Sequence, residues 1–137
     1  MKKHIFFLLF IIVLLFGCSQ EDNSVSLSYK AISIKWGKVS RGDYIAYAYD
    51  DGSYEIKSAS NQKVAKGTYS YYTDDMDRIT IKICETEYLD LDNNTMKSMS
   101  SIFSVAMNNN NSEFSYSCGN GLYIWFMLES VYNLTYN

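Results

Sequence analysis

Between Arg78 and Glu85 the chain alternates without exception: Ile79, Ile81 and Ile83 fall on one side, Thr80, Lys82 and Cys84 on the other. A period of two marks a half-buried strand, because successive side chains of extended backbone point to opposite faces. The same period recurs along most of the sequence. Val25, Leu27, Tyr29 and Ala31 alternate with Ser26, Ser28 and Lys30; the phase then slips, and Ile32, Ile34 and Trp36 alternate with Ser33 and Lys35. One extra residue that swaps faces is what a β-bulge introduces, and it supplies the bend that a strand wrapping a barrel needs.

Further strands are predicted at Tyr44 to Tyr49, Tyr54 to Ser58, Lys63 to Tyr72, Glu87 to Leu91 and Phe114 to Cys118. Leu122 to Leu128 is continuously apolar and reads as a strand covered on both faces, with a further strand at Val131 to Tyr136. Met96 to Met107 fits two patterns. Met96, Met99, Phe103 and Ala106 make a helical stripe, whereas Phe103, Val105 and Met107 make a strand. Serines, which compete for the backbone and disfavour helix interiors, tip the balance towards a strand from about Ile102.

The chain has no proline, so its turns are built from Gly, Asn, Asp and Ser. Candidates are Ser60-Asn61-Gln62, the acidic Thr73 to Asp77, Asn108 to Asn111, Asn120-Gly121, and Asp51-Gly52 as a two-residue hairpin with positive φ at both positions. Strands this short, joined by turns this tight, predict an all-β fold: an antiparallel meander of about eight strands closing into a small barrel, since closure removes exposed edges. The alternation would then point Ile79, Ile81 and Ile83 inward with Trp36 and part of Leu122 to Leu128, and Thr80 and Lys82 outward.

The N-terminus carries a different message. Lys2-Lys3 precede a wholly apolar run from Ile5 to Phe16, shorter than the roughly 20 residues a spanning helix needs. The run ends at Leu15-Phe16-Gly17-Cys18, which resembles the cleavage box of a bacterial lipoprotein signal peptide, with Phe16 as a departure from the usual small or aliphatic residue. The resemblance implies a signal peptide over residues 1–17, a lipidated polar tether over 18–24 and a single barrel domain over 25–137. Cys18 becomes the acylated N-terminus, a membrane anchor. Glu21-Asp22 after the lipid cysteine resembles the tag that sends some Gram-negative lipoproteins to the cell exterior. An outer-membrane, surface-exposed location follows as an expectation, with the inner leaflet as its alternative.

Losing residues 1–17 removes two of the 12 basic residues against 15 acidic ones, leaving a mature chain of 120 residues with net charge −5. A negative domain on an anionic membrane surface repels polyanions, which argues against nucleic acid or phospholipid headgroups as partners. The single histidine, His4, leaves with the signal peptide, so the mature domain has no imidazole for general-base chemistry or metal ligation. Cys84 and Cys118 remain, and two cysteines in an oxidising compartment are expected to pair.

Asp51-Gly52-Ser53-Tyr54, Gly67-Thr68-Tyr69 and Ile79-Thr80-Ile81, with Trp36 ahead of them, resemble the turn-plus-aromatic steps of lipocalin-like domains in secreted bacterial lipoproteins. The resemblance spans roughly Tyr44 to Tyr88 and implies a lipocalin-like barrel. It implies no single ligand, because such folds host many functions.

Thirteen tyrosines are the other excess. Tyr47 and Tyr49 share a face with Ile45, and Tyr69 shares one with Tyr71. Tyrosine offers an apolar body and a polar tip suited to recognition, and it also packs well on a pleated sheet. With Trp36, these four are the candidate ligand-binding residues. Asp90, Asp92 and Asn94 begin like a calcium loop, but Thr95 and Ser101 stand where its glycine and bidentate glutamate belong, so a solvated turn is the reading and no metal or cofactor is expected. No catalytic constellation emerges. The expectation is a non-enzymatic binding domain for a small apolar ligand in the barrel mouth or for a partner on its tyrosine-bearing face; the alternative is a protein-directed inhibitor or immunity lipoprotein that blocks an incoming enzyme or toxin. An apolar cavity would favour the first, and a filled barrel with a protruding aromatic or acidic loop the second.

Overall fold

The computed structural model describes residues 24–35 and 38–137. Nine strands follow one another: β1 (Val25–Ile34), β2 (Lys38–Val39), β3 (Tyr44–Tyr49), β4 (Ser53–Ser58), β5 (Lys63–Thr73), β6 (Ile79–Asp90), β7 (Thr95–Ala106), β8 (Glu113–Ser117) and β9 (Tyr123–Leu128), and a short helix, α1 (Glu129–Tyr136), comes last. The sheet order is β7-β6-β5-β4-β3-β1-β9-β8, with β2 folded back on β1. Every pairing is antiparallel. The result is an up-and-down barrel whose first strand pairs with its last. It is nearly closed: between β7 and β8 the ladder is reduced to one bridge, Asn108 to Glu113, and the rings of Phe103 and Tyr116 meet across the seam with centroids 5.6 Å apart.

The phase slip in β1 is a bulge. Ala31 pairs with Phe126 and Ser33 with Trp125, leaving Ile32 as the extra residue. A second bulge joins what the alternation separated into two strands: Glu85 and Glu87 pair with Gly67 and Lys66, with Thr86 between them, so β6 runs unbroken over 12 residues. Gly67 faces this bulge, where a Cβ would stand 1.9 Å from the carbonyl oxygen of Cys84, and only glycine fits. Met96 to Met107 is strand almost throughout, as β7.

The core is aromatic and branched aliphatic. Tyr29, Ile56, Ile81, Ile83, Phe114, Tyr116, Ile124 and Phe126 are buried within it, with Phe114 stacked on Phe126 and Tyr116 edge-on to it. Ile81 and Ile83 point inward and Lys82 outward, as the period requires. Ile79 differs from expectation. It keeps the inward phase but opens β6 at the barrel rim, and is 38% exposed. Thr80 differs too: it is buried between Tyr72 and Ala106 of the flanking strands, and its hydroxyl has no partner among the described residues. The outer face of β9 is covered only towards its end. Met127 is buried, whereas Tyr123 stays exposed.

Three further expectations are corrected. Residues 131–136 are helical. Tyr132 and Tyr136 lie one turn apart with ring centroids 5.0 Å from each other, the Lys30 ammonium sits 5.1 Å over Tyr132, and the Arg41 guanidinium 4.3 Å over Tyr136. These i, i+4 and cation–π contacts hold the turn against the outer wall. The Asp51-Gly52 hairpin is a three-residue turn, Asp50 to Gly52, with only Gly52 at positive φ (84°). Finally, Cys84 and Cys118 are free thiols. Cys84 shares the outward phase of Thr80 and Lys82, whereas Cys118 is buried inside, so the wall of the barrel separates them.

Candidate functional site

One end of the barrel is open. Here β1 begins, and the turns 50–52, 74–78 and 107–112 cluster. The inward residues of β3 near this end are only alanines, Ala46 and Ala48, both buried. Their small side chains leave an almost wholly apolar hollow of about 30 Å³, lined also by Tyr29, Tyr69, Tyr71 and Ile81. That is room for a water-sized group or two. The tyrosine tips are tied together at the rim. The hydroxyls of Tyr29 and Tyr71 lie 3.3 Å apart, Tyr69 donates to the Tyr49 carbonyl at 2.8 Å, and the Tyr69 and Tyr71 rings meet edge to face at 5.5 Å. Burial, and then the contact with Tyr71, pushes Tyr29 well above the ordinary phenol range; burial also raises Tyr69. Both are neutral hydroxyls at physiological pH, able to donate and accept.

Of the residues the sequence nominated, Tyr69 and Tyr71 are brought together at this mouth. Tyr47 also borders the hollow, with its ring under the Lys57 ammonium at 5.8 Å. Tyr49 is not part of it. Its hydroxyl donates to Glu55, which also meets Lys63 at 3.1 Å and Lys57 at 3.5 Å. Although burial opposes ionisation of Glu55, those lysines and Tyr49 hold its carboxyl below the usual range. Trp36 and Cys18 lie outside the described residues. Tyr29 was not nominated, although its phase with Ala31 marked it as inward.

The far half of the barrel holds a polar cluster that the sequence reading missed. Glu85 is 1% exposed. Its Oε1 accepts the Gly119 amide at 2.9 Å and lies 3.6 Å from the Cys118 sulfur, while Oε2 has no partner among the described residues. Above it the hydroxyls of Tyr54 and Tyr116 share a hydrogen bond of 2.7 Å. Burial raises both phenols and pushes the Cys118 thiol up to about 12, so Cys118 is a protonated core residue rather than a reactive thiolate. The signal for Glu85 was present: it continues the inward phase of Ile81 and Ile83.

The calcium-like loop is a locked turn. Asp90 accepts from the Asp92 amide at 3.0 Å and Asn93 at 2.8 Å, and pairs with Lys97 at 2.5 Å. Lys97 first, then Asn93 and Asp92, hold the Asp90 carboxyl down to about 2, from an ordinary 3.8. Among the described residues no cluster of acidic, histidine or cysteine side chains is placed to hold a metal. A depressed carboxyl stabilises the fold above the unfolded-state pKa and loses that contribution as pH falls through the folded one. Asp90→Asn is therefore expected to flatten the fall in stability between about pH 4 and pH 2, measured by urea unfolding at each pH; an unchanged slope would show that the pair contributes nothing.

Fold and site together define a small, nearly closed antiparallel β-barrel with an apolar, tyrosine-rimmed mouth. No family model, no curated protein and no solved structure matches the chain. Asp51-Gly52-Ser53-Tyr54 lies at the start of β4, Gly67-Thr68-Tyr69 within β5 and Ile79-Thr80-Ile81 at the start of β6.

Proposed function

We propose that this chain is an outer-membrane or cell-surface lipoprotein, anchored through Cys18, whose lipocalin-like barrel is a non-enzymatic binding domain. The observation that carries this reading is the apolar hollow of about 30 Å³ beneath Tyr29, Tyr69 and Tyr71. Drug-sized pockets run to about 300–1,000 Å³. The mouth therefore suits a small apolar molecule, or the apolar tip of a larger partner, with tyrosine hydroxyls at the rim to orient it. Ala46→Leu fills the hollow while leaving the polar tips in place. Pull-down from envelope extracts with the mature protein is expected to enrich a small apolar compound or partner that Ala46→Leu, still folded by circular dichroism, fails to retain; equal recovery by both proteins would refute the mouth as the site.

The anchor has its own test. Cys18→Ala should leave the protein unprocessed or released into the periplasm, read by membrane fractionation. Wild type and variant remaining equally membrane-bound after cleavage would rule lipidation out.

The reading as an inhibitor or immunity factor draws support from a different feature. Most of the barrel is filled, and the acidic turn from Asp74 to Asp77 carries an exposed Met76 beside exposed Tyr72. Such a loop suits insertion into a basic enzyme. Recovery of a basic hydrolase or toxin in the same pull-down, retained by Ala46→Leu and lost on Met76→Asp, would favour it.

A further inference from the structure

The described chain begins at Ser24, at the open end of the barrel, where Asp50 donates its amide to the Ser24 carbonyl at 3.0 Å. Six residue steps separate Ser24 from Cys18. At no more than about 3.6 Å each they span about 20 Å. An acylated Cys18 therefore holds this end, and not the opposite one, against the bilayer.

The same end is where the apolar surface lies. Of twelve large apolar side chains left exposed among the described residues, six sit here: Val25 and Leu27 at the start of β1, Tyr71 and Tyr72 at the end of β5, Met76 in the turn, and Ile79 at the start of β6. Met76 is 72% exposed at the tip. Tyr71 lines the hollow, and the others stand on strand ends and a turn at this same end. Exposed apolar side chains gathered at one end of a folded domain mark a contact site.

Charge selects the kind of surface. The turns 50–52, 74–78 and 107–112 carry five aspartates and one arginine, Arg78, which is paired to Asp74 at 2.8 Å. An acidic rim is repelled by anionic headgroups but not by zwitterionic ones. We infer that the rim formed by Val25, Leu27, Tyr71, Tyr72, Met76 and Ile79 docks on a zwitterionic lipid surface, so that the barrel mouth opens directly onto the membrane. This rests on the lipid-anchored reading above. It adds that the ligand passes between bilayer and mouth without crossing water.

The test uses the mature, lipidated protein on phosphatidylcholine vesicles. A solvent-sensitive fluorophore is placed at Met76→Cys and, in a second sample, at Asn93→Cys in the turn at the opposite end. Both positions are exposed; the substitution at 93 gives up one surface hydrogen bond, to Asp90, so folding of each labelled protein is checked by circular dichroism, and signal from Cys84 is subtracted using the labelled parent. Lipids spin-labelled near the headgroup are expected to quench the label at position 76 several-fold more than that at 93, and replacing a third of the lipid with phosphatidylglycerol is expected to reduce that quenching. Protein that co-floats with vesicles but shows equal quenching at the two positions overturns the docking face while leaving the anchor intact. Failure to co-float overturns the anchor, and the docking face with it. A blue shift at position 76 already complete without vesicles assigns the rim to a second copy of the chain, and the lipid surface is then wrong.

Discussion

Tyr116→Ala is expected to cost about 3–5 kcal/mol of unfolding free energy, the range for removing a fully buried aromatic side chain. Tyr116 is 1% exposed and sits where the barrel is least continuous. Its ring meets Phe103 of β7 across the open seam at 5.6 Å, meets Phe126 of β9 at 6.4 Å, and its hydroxyl bonds that of Tyr54 at 2.7 Å. With one backbone bridge between β7 and β8, this side chain carries much of the closure. Tyr116→Phe keeps the ring but leaves the Tyr54 hydroxyl buried without its partner, at about 1–3 kcal/mol. Chemical denaturation with an unchanged m-value is the measurement. A loss for alanine no larger than for phenylalanine would mean that the seam is held by something else.

Ile81→Ala is the second large effect, at about 2–5 kcal/mol. Ile81 is buried in β6, pairs with Tyr71 and Val105, and borders the hollow at the mouth. The substitution enlarges an existing void rather than opening a closed site, and the small residues opposite, Ala46 and Ala48, give the wall little to collapse with. Against a total stability of about 5–15 kcal/mol this threatens folding. Lys82→Ala, one residue on and pointing outward, is expected to change stability by less than about 0.5 kcal/mol. Equal effects for the pair would contradict the strand phase on which the barrel rests.

How far the sequence discloses this fold depends on what period two can encode. It reports the pleat, so the β1 bulge at Ile32 and the strict face of β6 were visible. It does not report which parity faces inward when the two faces are similarly apolar. In β3 the inward set is Ala46 and Ala48 and the outward set Ile45, Tyr47 and Tyr49, so the bulkier face is the outer one and Tyr49 meets Glu55 there instead of joining the mouth. In β5 the parity of Tyr69 and Tyr71 held, and both line the mouth.

The helix at 129–136 was hidden for a related reason. Its tyrosines, valine and threonine suit a strand by local preference. The helix instead gains contacts that only the assembled barrel provides: Lys30 and Arg41 beneath the rings, and Ser28 donating to Glu129. The cysteines were misjudged because count and compartment carry no information about walls, and Cys84 lies outside while Cys118 lies within. Glu85 was legible by parity but overridden by its charge, which argues for solvent until a buried amide such as that of Gly119 is seen to meet it.

The most direct test of the central claim, that the mouth takes a small apolar group, is a methyl NMR titration of the mature protein with xenon, a single apolar atom, as the probe. Dry apolar hollows admit such probes. Saturable shifts are expected at the methyls of Ala46, Ala48 and Ile81, with none at Ile124 on the far wall, and Ala46→Leu should abolish them. Shifts that fail to saturate, or that survive Ala46→Leu unchanged, would contradict the account.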